Sequence, residues 1–253
     1  MARRAILGIC LIALMVPRMA HADPSALWHI IEGKCVPDQQ AHNDPSPCAA
    51  VDISHGVASG WVLLKDRDGI AQFLVMPTAR ISGIEDPAIL KPDAFNYWGP
   101  AWQARTSVEA RLNTALKRDQ ISLAINSAYG RSQDQLHIHV DCLRQDVLAA
   151  IRANIARVGM GWAPFPVVLA GHPYRAMRVD GDTLADANPF RLLAADPDTA
   201  ADMGHHTLVV VGETFADGKP GFLLLDGKAD RAAGNFGSGE ELQDHACAIA
   251  HAS

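Results

Sequence analysis

The chain has 253 residues, 49% of them hydrophobic and 20% charged, with 20 Gly and 15 Pro. At roughly 100–200 residues per domain this is one large domain or two small ones, and the composition excludes wholesale disorder. A formal net charge of −6 leaves no global basic field for nucleic acid or an anionic bilayer, so an anionic ligand has to be held by local donors.

In chain order, Ala2-Arg3-Arg4, a mostly apolar run from Ala5 to Val16, and Ala20-His21-Ala22 before Asp23 read as a secretory signal over residues 1–22. A permanent span needs about 20 apolar residues, and Pro17 and Arg18 interrupt this run; a short uncleaved anchor is the alternative. Cys10 follows Ile9 rather than a small residue, so no lipid-modification site is read there. The folded domain is then 23–253. Cys35, Cys48, Cys142 and Cys247 remain, and an even count in an exported chain predicts disulfides. Cys35 and Cys48 enclose a loop of Pro, Asn, Asp and Gln that needs a staple, which pairs them and leaves Cys142 for Cys247. No C-x-x-C is present, which removes a zinc ribbon or thioredoxin-type site.

Ser25–Glu32 has helical spacing. Gly60–Leu64 and Ile70–Met76 flank Asp66-Arg67-Asp68-Gly69 as the strands of a hairpin. Ser82–Leu90 reads as loop or short helix, and Trp98–Lys117 as one long helix with Trp102, Val108, Leu112 and Leu116 on one side. Ile121–Ile125 and Gln135–Leu143 are strands around a polar turn, Asn126–Asp134, and Val147–Val158 is a helix. Pro166–Leu169 and Tyr174–Val179 look like strands and Pro189–Ala195 like a helical turn. Thr207–Val211 and Gly221–Leu225 form a second hairpin, and Glu240–Ala250 reads as a terminal helix. The two hairpin segments share a strand, turn, strand pattern, as a degenerate duplicated half would. The fold class is α+β, an antiparallel sheet with packed helices.

The stretch that carries chemistry is Ala124–Leu143, AINSAYGRSQDQLHIHVDCL. Strand alternation sends Gln135, His137, His139 and Asp141 to one face and Leu136, Ile138, Val140 and Cys142 to the other. Two imidazoles with polar neighbours can supply a nucleophile, a proton donor and an orienting partner. The plain alternative is a solvated polar strand face. A His pair in a metal site needs a third and fourth donor; the pattern H-x-H-x-D-H has its last His where this chain has Cys142, and His172, His205, His206 and His245 are distant in sequence. No metal and no cofactor is read.

The order of strand, FLVMPTARISGIED, helix, SLAIN, polar Gly-containing loop and QLHIHVD resembles the histidine-triad (HIT) superfamily of nucleotide hydrolases and transferases. NSAYGRSQDQLHIH, with VPDQQ…PSPCA, FLVMPTARISGIEDP, WGPAWQAR, GHPYRAMRV and EELQDHAC, more closely resembles the bacterial CDP-diacylglycerol pyrophosphatases, from about Cys35 to Cys247. This resemblance implies a HIT-like fold and hydrolysis of CDP-diacylglycerol to CMP and phosphatidate through a nucleotidyl-histidine intermediate, without a metal. It also implies a periplasmic location at the inner membrane, with the membrane surface as the source of lipid and no nucleic acid as partner. Charge on the nonbridging oxygens calls for donors, and Asn126, Ser132, Gln133 and the second His are the candidates. Gln135, Asp141 and Arg131 join them as substrate-binding residues.

This sequence departs from the full triad, and the departure leaves two registers. Either His137 is first, His139 attacks and Asp141 stands third, which keeps the superfamily's spacing of Asn126 and Gln133 and is preferred, or Gln135 is first, His137 attacks and His139 is third. Arg80 and Arg175 are weaker phosphate candidates than Arg131. Trp98 and Trp102 read as core before cytosine stacking, and His172 and His245 as structural. A nucleotidyl transferase, a soluble nucleotide pyrophosphatase, or a non-catalytic periplasmic lipid- or nucleotide-binding module is the alternative function.

Overall fold

The computed structural model describes residues 23–251, so the signal segment lies outside the described residues. Helix α1 (Ala26–Ile30) continues through a π-helical turn, Ile31–Cys35, into α2 (Val36–His42). The helical segment outruns the predicted one because Ile31, Cys35 and Val36 extend its buried stripe, and Asn43 ends it in the left-handed conformation. Cys35 is bonded to Cys48 and Cys142 to Cys247, as read from the sequence.

Nine strands follow among the described residues: β1 (Ala50–Asp52), β2 (Trp61–Lys65), β3 (Phe73–Pro77), β4 (Ile121–Ile125), β5 (Ile138–Cys142), β6 (Ala163–Pro164), β7 (Tyr174–Asp180), β8 (His206–Thr214) and β9 (Pro220–Lys228). They form one sheet in the order β1-β2-β3-β5-β4-β8-β9-β7-β6, every neighbouring pair antiparallel. The α+β class holds. Both predicted hairpins exist, β2–β3 and β8–β9, the first closed by a longer loop than its turn residues suggested. They do not occupy equivalent places, β2–β3 lying toward an edge and β8 at the centre. Inward from β2 the order is first, second, fourth, third of its four strands, and inward from β6 it is the same.

Three predicted elements are corrected. Trp98–Lys117 is two short helices, α3 (Trp98–Gln103) and α4 (Arg105–Leu112). Asn113 takes a left-handed conformation there and the Thr114 N–H closes on the Glu109 carbonyl at 3.1 Å, which ends the helix. Pro166–Leu169 is not a strand: β6 lies earlier, and Leu169 makes only a bridge to His172. The terminal helix is replaced by 3-10 turns at Gly239–Leu242 and Ala248–His251. Between them the backbone is recruited by the end of β5: Arg144 N–H donates to the Leu242 carbonyl at 3.0 Å and Asp244 N–H to the Cys142 carbonyl at 2.9 Å.

Two apolar clusters sandwich the sheet. Trp98, Trp102 and Val108 of α3 and α4, with Phe190 of a later helix, pack in the main core with Ile138 and Val140 of β5, Trp98 meeting Phe190 at 5.1 Å between ring centroids. Each fully buried aliphatic or aromatic side chain there contributes about 1.5–3 kcal/mol. Ile31, Cys35, Val36 and Cys48 cover Val62, Leu74 and Met76 on the opposite face. Leu74 is the cross-strand partner of His139, so the two imidazoles share that second face. Helix α5 (Gln145–Asn154), which follows β5, buries Val147, Leu148 and Ile151 and runs shorter than predicted. No helix among the described residues is long and apolar enough to cross a membrane.

Candidate active site

The predicted strand Gln135–Leu143 is shortened to β5, which holds His139 and Asp141, while Gln135 and His137 precede it in irregular backbone; all four are buried, His137 at 7% and His139 at 4% exposure. The polar face is therefore not a solvated one. Beside the aliphatic Leu74, polar groups gather here: Gln72 and Glu240 touch the His139 ring, Asn126 holds Glu240, and Gln243 donates to the His139 carbonyl. The cover comes from residues 235–245. Ser127 N–H donates to the Gly237 carbonyl at 2.8 Å and its hydroxyl to the Phe236 carbonyl at 2.6 Å. Gly130 and Gly237 permit this approach, since a Cβ on Gly130 would lie 2.9 Å from the Gly237 oxygen, and Gly237 has a φ of +66°.

The two rings meet edge to face, with centroids 4.7 Å apart. His137 Nδ1 lies 2.6 Å from the Gln135 carbonyl, an acceptor only, so Nδ1 carries the proton and Nε2 keeps the lone pair. His139 is set the other way. The Gln72 amide nitrogen is 3.3 Å from Glu240 Oε1, a contact that orients the amide, and 3.1 Å from His139 Nδ1. Gln72 thus donates to Nδ1, and the network assigns the proton to Nε2, a buried atom without a protein partner. One ring offers a nucleophilic nitrogen and its neighbour an unused N–H. Burial pushes the pKa of His137 down and that of His139 well down, the latter helped by the nearby His137 and His245, so both rings are neutral at pH 7.

Glu240 joins the remaining pieces. Its Oε2 accepts from Asn126 Nδ2 at 2.6 Å, and its Oε1 is 3.1 Å from His139 Nδ1. Asp141, fully buried, accepts from the Cys142 N–H and from His245 Nδ1, each at 2.8 Å. Gln135 donates to the carbonyls of Pro77 and Ala79, both at 3.0 Å, which ties the segment leading into β5 to the end of β3.

Not every predicted site residue joins this centre. Gln133 turns to the N-terminal segment, accepting from Leu27 N–H at 3.1 Å and donating to the Asp23 carbonyl at 2.9 Å. Ser132 is exposed. Arg131 pairs with Glu85 at 2.5 Å and Asp134 at 3.1 Å, although its charge is felt at His137. Arg175 is locked to Asp226 and Asp196, Arg80 stacks over Trp28, and Trp98 and Trp102 are core. Among the described residues, the cluster of potential metal ligands is Asp141, Cys142 and Cys247, and its two sulfurs are bonded to each other.

Sequence reasoning missed Gln72, Glu240 and the contact of His245 with Asp141. For Gln72 a signal existed: it has the same strand parity as Leu74 and Met76, an amide at the head of an apolar face. Glu240 and His245 stand in EELQDHAC, one of the segments that carried the resemblance, yet nothing local says that they fold back on β5.

A family model described as CDP-diacylglycerol pyrophosphatase matches residues 22–251. A curated protein of Yersinia pestis named CDP-diacylglycerol pyrophosphatase is 40% identical over 242 residues, covering 95% of this chain and 91% of that protein.

Proposed function

The chain belongs to the CDP-diacylglycerol pyrophosphatase family, and from that membership we propose that it hydrolyses the pyrophosphate bond of CDP-diacylglycerol to CMP and phosphatidate at the His137–His139 pair. His137 Nε2 attacks the cytidylyl phosphorus, phosphatidate leaves, and water cleaves the P–N bond to free CMP. Splitting one displacement into two suits a neutral imidazole. The Nε2–H of His139 and the amide of Asn126 are the donors available to the nonbridging oxygens as charge grows there. The observation that carries this assignment is the bond from His137 Nδ1 to the Gln135 carbonyl, which leaves the lone pair on the outer nitrogen. It favours the register in which Gln135 is first, over the one that the spacing of Gln133 recommended, because Gln133 is engaged elsewhere.

The reading extends to location. Two disulfides accord with an oxidising compartment, and we infer that residues 1–22 direct export and that the lipid is taken at the outer face of the inner membrane.

The test is direct. CDP-diacylglycerol, CDP-choline and a dinucleoside polyphosphate are incubated with the protein, with and without chelator, and released CMP or other mononucleotide is measured. Chelator-resistant CMP from the lipid substrate is expected. His137→Ala and His139→Ala each lose activity by orders of magnitude, and acid-labile cytidylyl label is trapped on wild type and His139→Ala but not on His137→Ala. Near-normal turnover in both variants, or label on His137→Ala, overturns the assignment.

A further inference from the structure

His245 is bound on one side to the buried Asp141 carboxylate, while its Nε2 lies 4.0 Å from Glu240 Oε1. Glu240 Oε1 in turn touches His139. With 42% of its side chain exposed, His245 links the buried carboxylate of Asp141 to solvent at the edge of the His pair. Its position is tightly fixed. Ile70 N–H donates to the His245 carbonyl at 2.9 Å, and Asp244 N–H donates to the Cys142 carbonyl at 2.9 Å. The Cys142–Cys247 disulfide joins the residue after Asp141 to the residue two after His245. The bridge therefore staples the two halves of an Asp–His pair contributed by segments about a hundred residues apart.

We propose that His245, oriented by Asp141, is a further catalytic residue of this site, the proton donor to the phosphatidate leaving group. The proposal rests on the reading of the His137–His139 pair given above. As His137 Nε2 bonds to the cytidylyl phosphorus, the bond from that phosphorus to the bridging oxygen breaks. Its electron pair stays on the departing phosphatidate, and the Nε2 proton of the His245 imidazolium passes to that oxygen. In the second step the neutral His245 takes a proton from the attacking water while the P–N bond breaks and returns its pair to His137. The imidazolium is restored.

The charges around His245 suit this cycle. Asp141 from β5, Glu240 from the 3-10 turn and Asp66 from the β2–β3 loop face it, with His139 nearby and Asp244 beside it in the chain. Its pKa is raised, first by the hydrogen bond to Asp141 and then, against partial burial, by the negative charges of Asp141, Glu240 and Asp66. The cation also offsets the Glu240 carboxylate where a pyrophosphate has to approach.

General acid catalysis contributes typically 10²–10⁴-fold, so His245→Gln lowers kcat on CDP-diacylglycerol by about 10²–10³-fold with little change in KM, and the basic limb of its pH–rate profile disappears. In the first turnover, the 4-nitrophenyl ester of CMP, whose leaving group departs unprotonated, releases nitrophenolate from His245→Gln at nearly the wild-type rate, while later turnovers, which need His245 to activate water, are slowed; His137→Ala cleaves neither substrate. Exogenous imidazole rescues His245→Ala on the lipid substrate at least about tenfold, in proportion to its imidazolium fraction, which a purely structural role would not produce. Asp141→Asn, which keeps side-chain volume, shows the same substrate-dependent loss in a weaker form. Equal first-turnover losses on both substrates together with no imidazole rescue, or an unchanged lipid turnover in His245→Gln, overturns the role of His245. Failure of wild type to release CMP from either substrate overturns instead the reading on which it rests.

Discussion

Removing the Cys142–Cys247 bridge tests both the fold and the site. The bonded residues are 105 apart in sequence, those of Cys35–Cys48 only 13. In the chain-entropy account a loop of about 100 residues confers about 4.7 kcal/mol and one of about 15 residues about 3 kcal/mol. Cys142→Ala/Cys247→Ala is therefore expected to lose between about 4 and 5 kcal/mol of unfolding free energy, and Cys35→Ala/Cys48→Ala about 3 kcal/mol. Against a total of about 5–15 kcal/mol, the first loss is large. Urea unfolding of wild type and both double variants, followed by circular dichroism without reductant, measures the difference. Turnover assayed where each variant is still folded adds the second readout, because Asp141 precedes Cys142 and His245 lies two residues before Cys247. The long-loop variant is expected to lose lipid hydrolysis as well as stability. A reversed order of the two losses, or free thiols at these positions in non-reducing peptide mapping, would refute the reasoning.

Three pH-linked predictions follow from buried groups. Glu213, 5% exposed with Oε1 unpartnered, has its pKa pushed up from 4.5 to about 7, first by burial and then by Asp119. A carboxyl neutral in the fold contributes stability that is full below its unfolded value and lost as pH rises through the folded one. Glu213→Gln is therefore more stable than wild type by about 3 kcal/mol at pH 8.5, at 1.36 kcal/mol per unit, and about equal to it at pH 4.5; a difference independent of pH in paired denaturation curves counts against this. His137 and His139 are held neutral, so their contribution is present above 6.5 and falls away as pH drops through that value toward their depressed pKa values. Wild type should lose stability below pH 6.5 more steeply than His137→Asn/His139→Asn, and parallel curves would contradict it. Glu240 raises the pKa of His137, so Glu240→Gln moves the acid limb of the kcat/KM profile to lower pH; movement to higher pH would be the wrong sign.

Much of the sheet was legible because alternation is local. Leu136, Ile138 and Val140 had to face one way and His137 and His139 the other, and both hairpins announced themselves by turn residues between apolar runs. What lay outside the reach of local patterns was which distant segment covers each face. The sequence did not show what buries the Gln135–Asp141 face, because the covering segment, residues 235–245, is about a hundred residues away and part of it, from Glu240, read as a helix. Its 3-10 and extended geometry comes from backbone donors and acceptors at the end of β5, a tertiary recruitment that overrides helical spacing. The placement of Gln133 was out of reach for a similar reason. Its spacing from the His pair suggested a phosphate donor, yet the N-terminal segment captures both ends of its amide.

The concentration of polar groups at this point on the sheet is itself an argument for function. Among the described residues, seven buried side-chain polar atoms lack a protein partner, and four of them, Gln72 Oε1, Gln135 Oε1, His139 Nε2 and Gln243 Oε1, belong to the cluster around the imidazoles. Each such atom costs about 1–3 kcal/mol, a burden that an apolar face would avoid, as the covered Val62, Leu74 and Met76 show beside it. Gln72 and His139 are each other's partners, so replacing both by apolar side chains removes two orphans without creating a new one in that pair. Glu240, a quarter exposed, can turn its freed oxygen to water. Gln72→Leu/His139→Met is accordingly expected to be more stable than wild type by about 1–3 kcal/mol while losing CMP release. The single variant His139→Met, which strands the Gln72 amide, is expected to be less stable than the pair. Thermal unfolding of the three proteins decides it: a double variant less stable than wild type would mean that this polar block holds the sheet together rather than being tolerated for its chemistry.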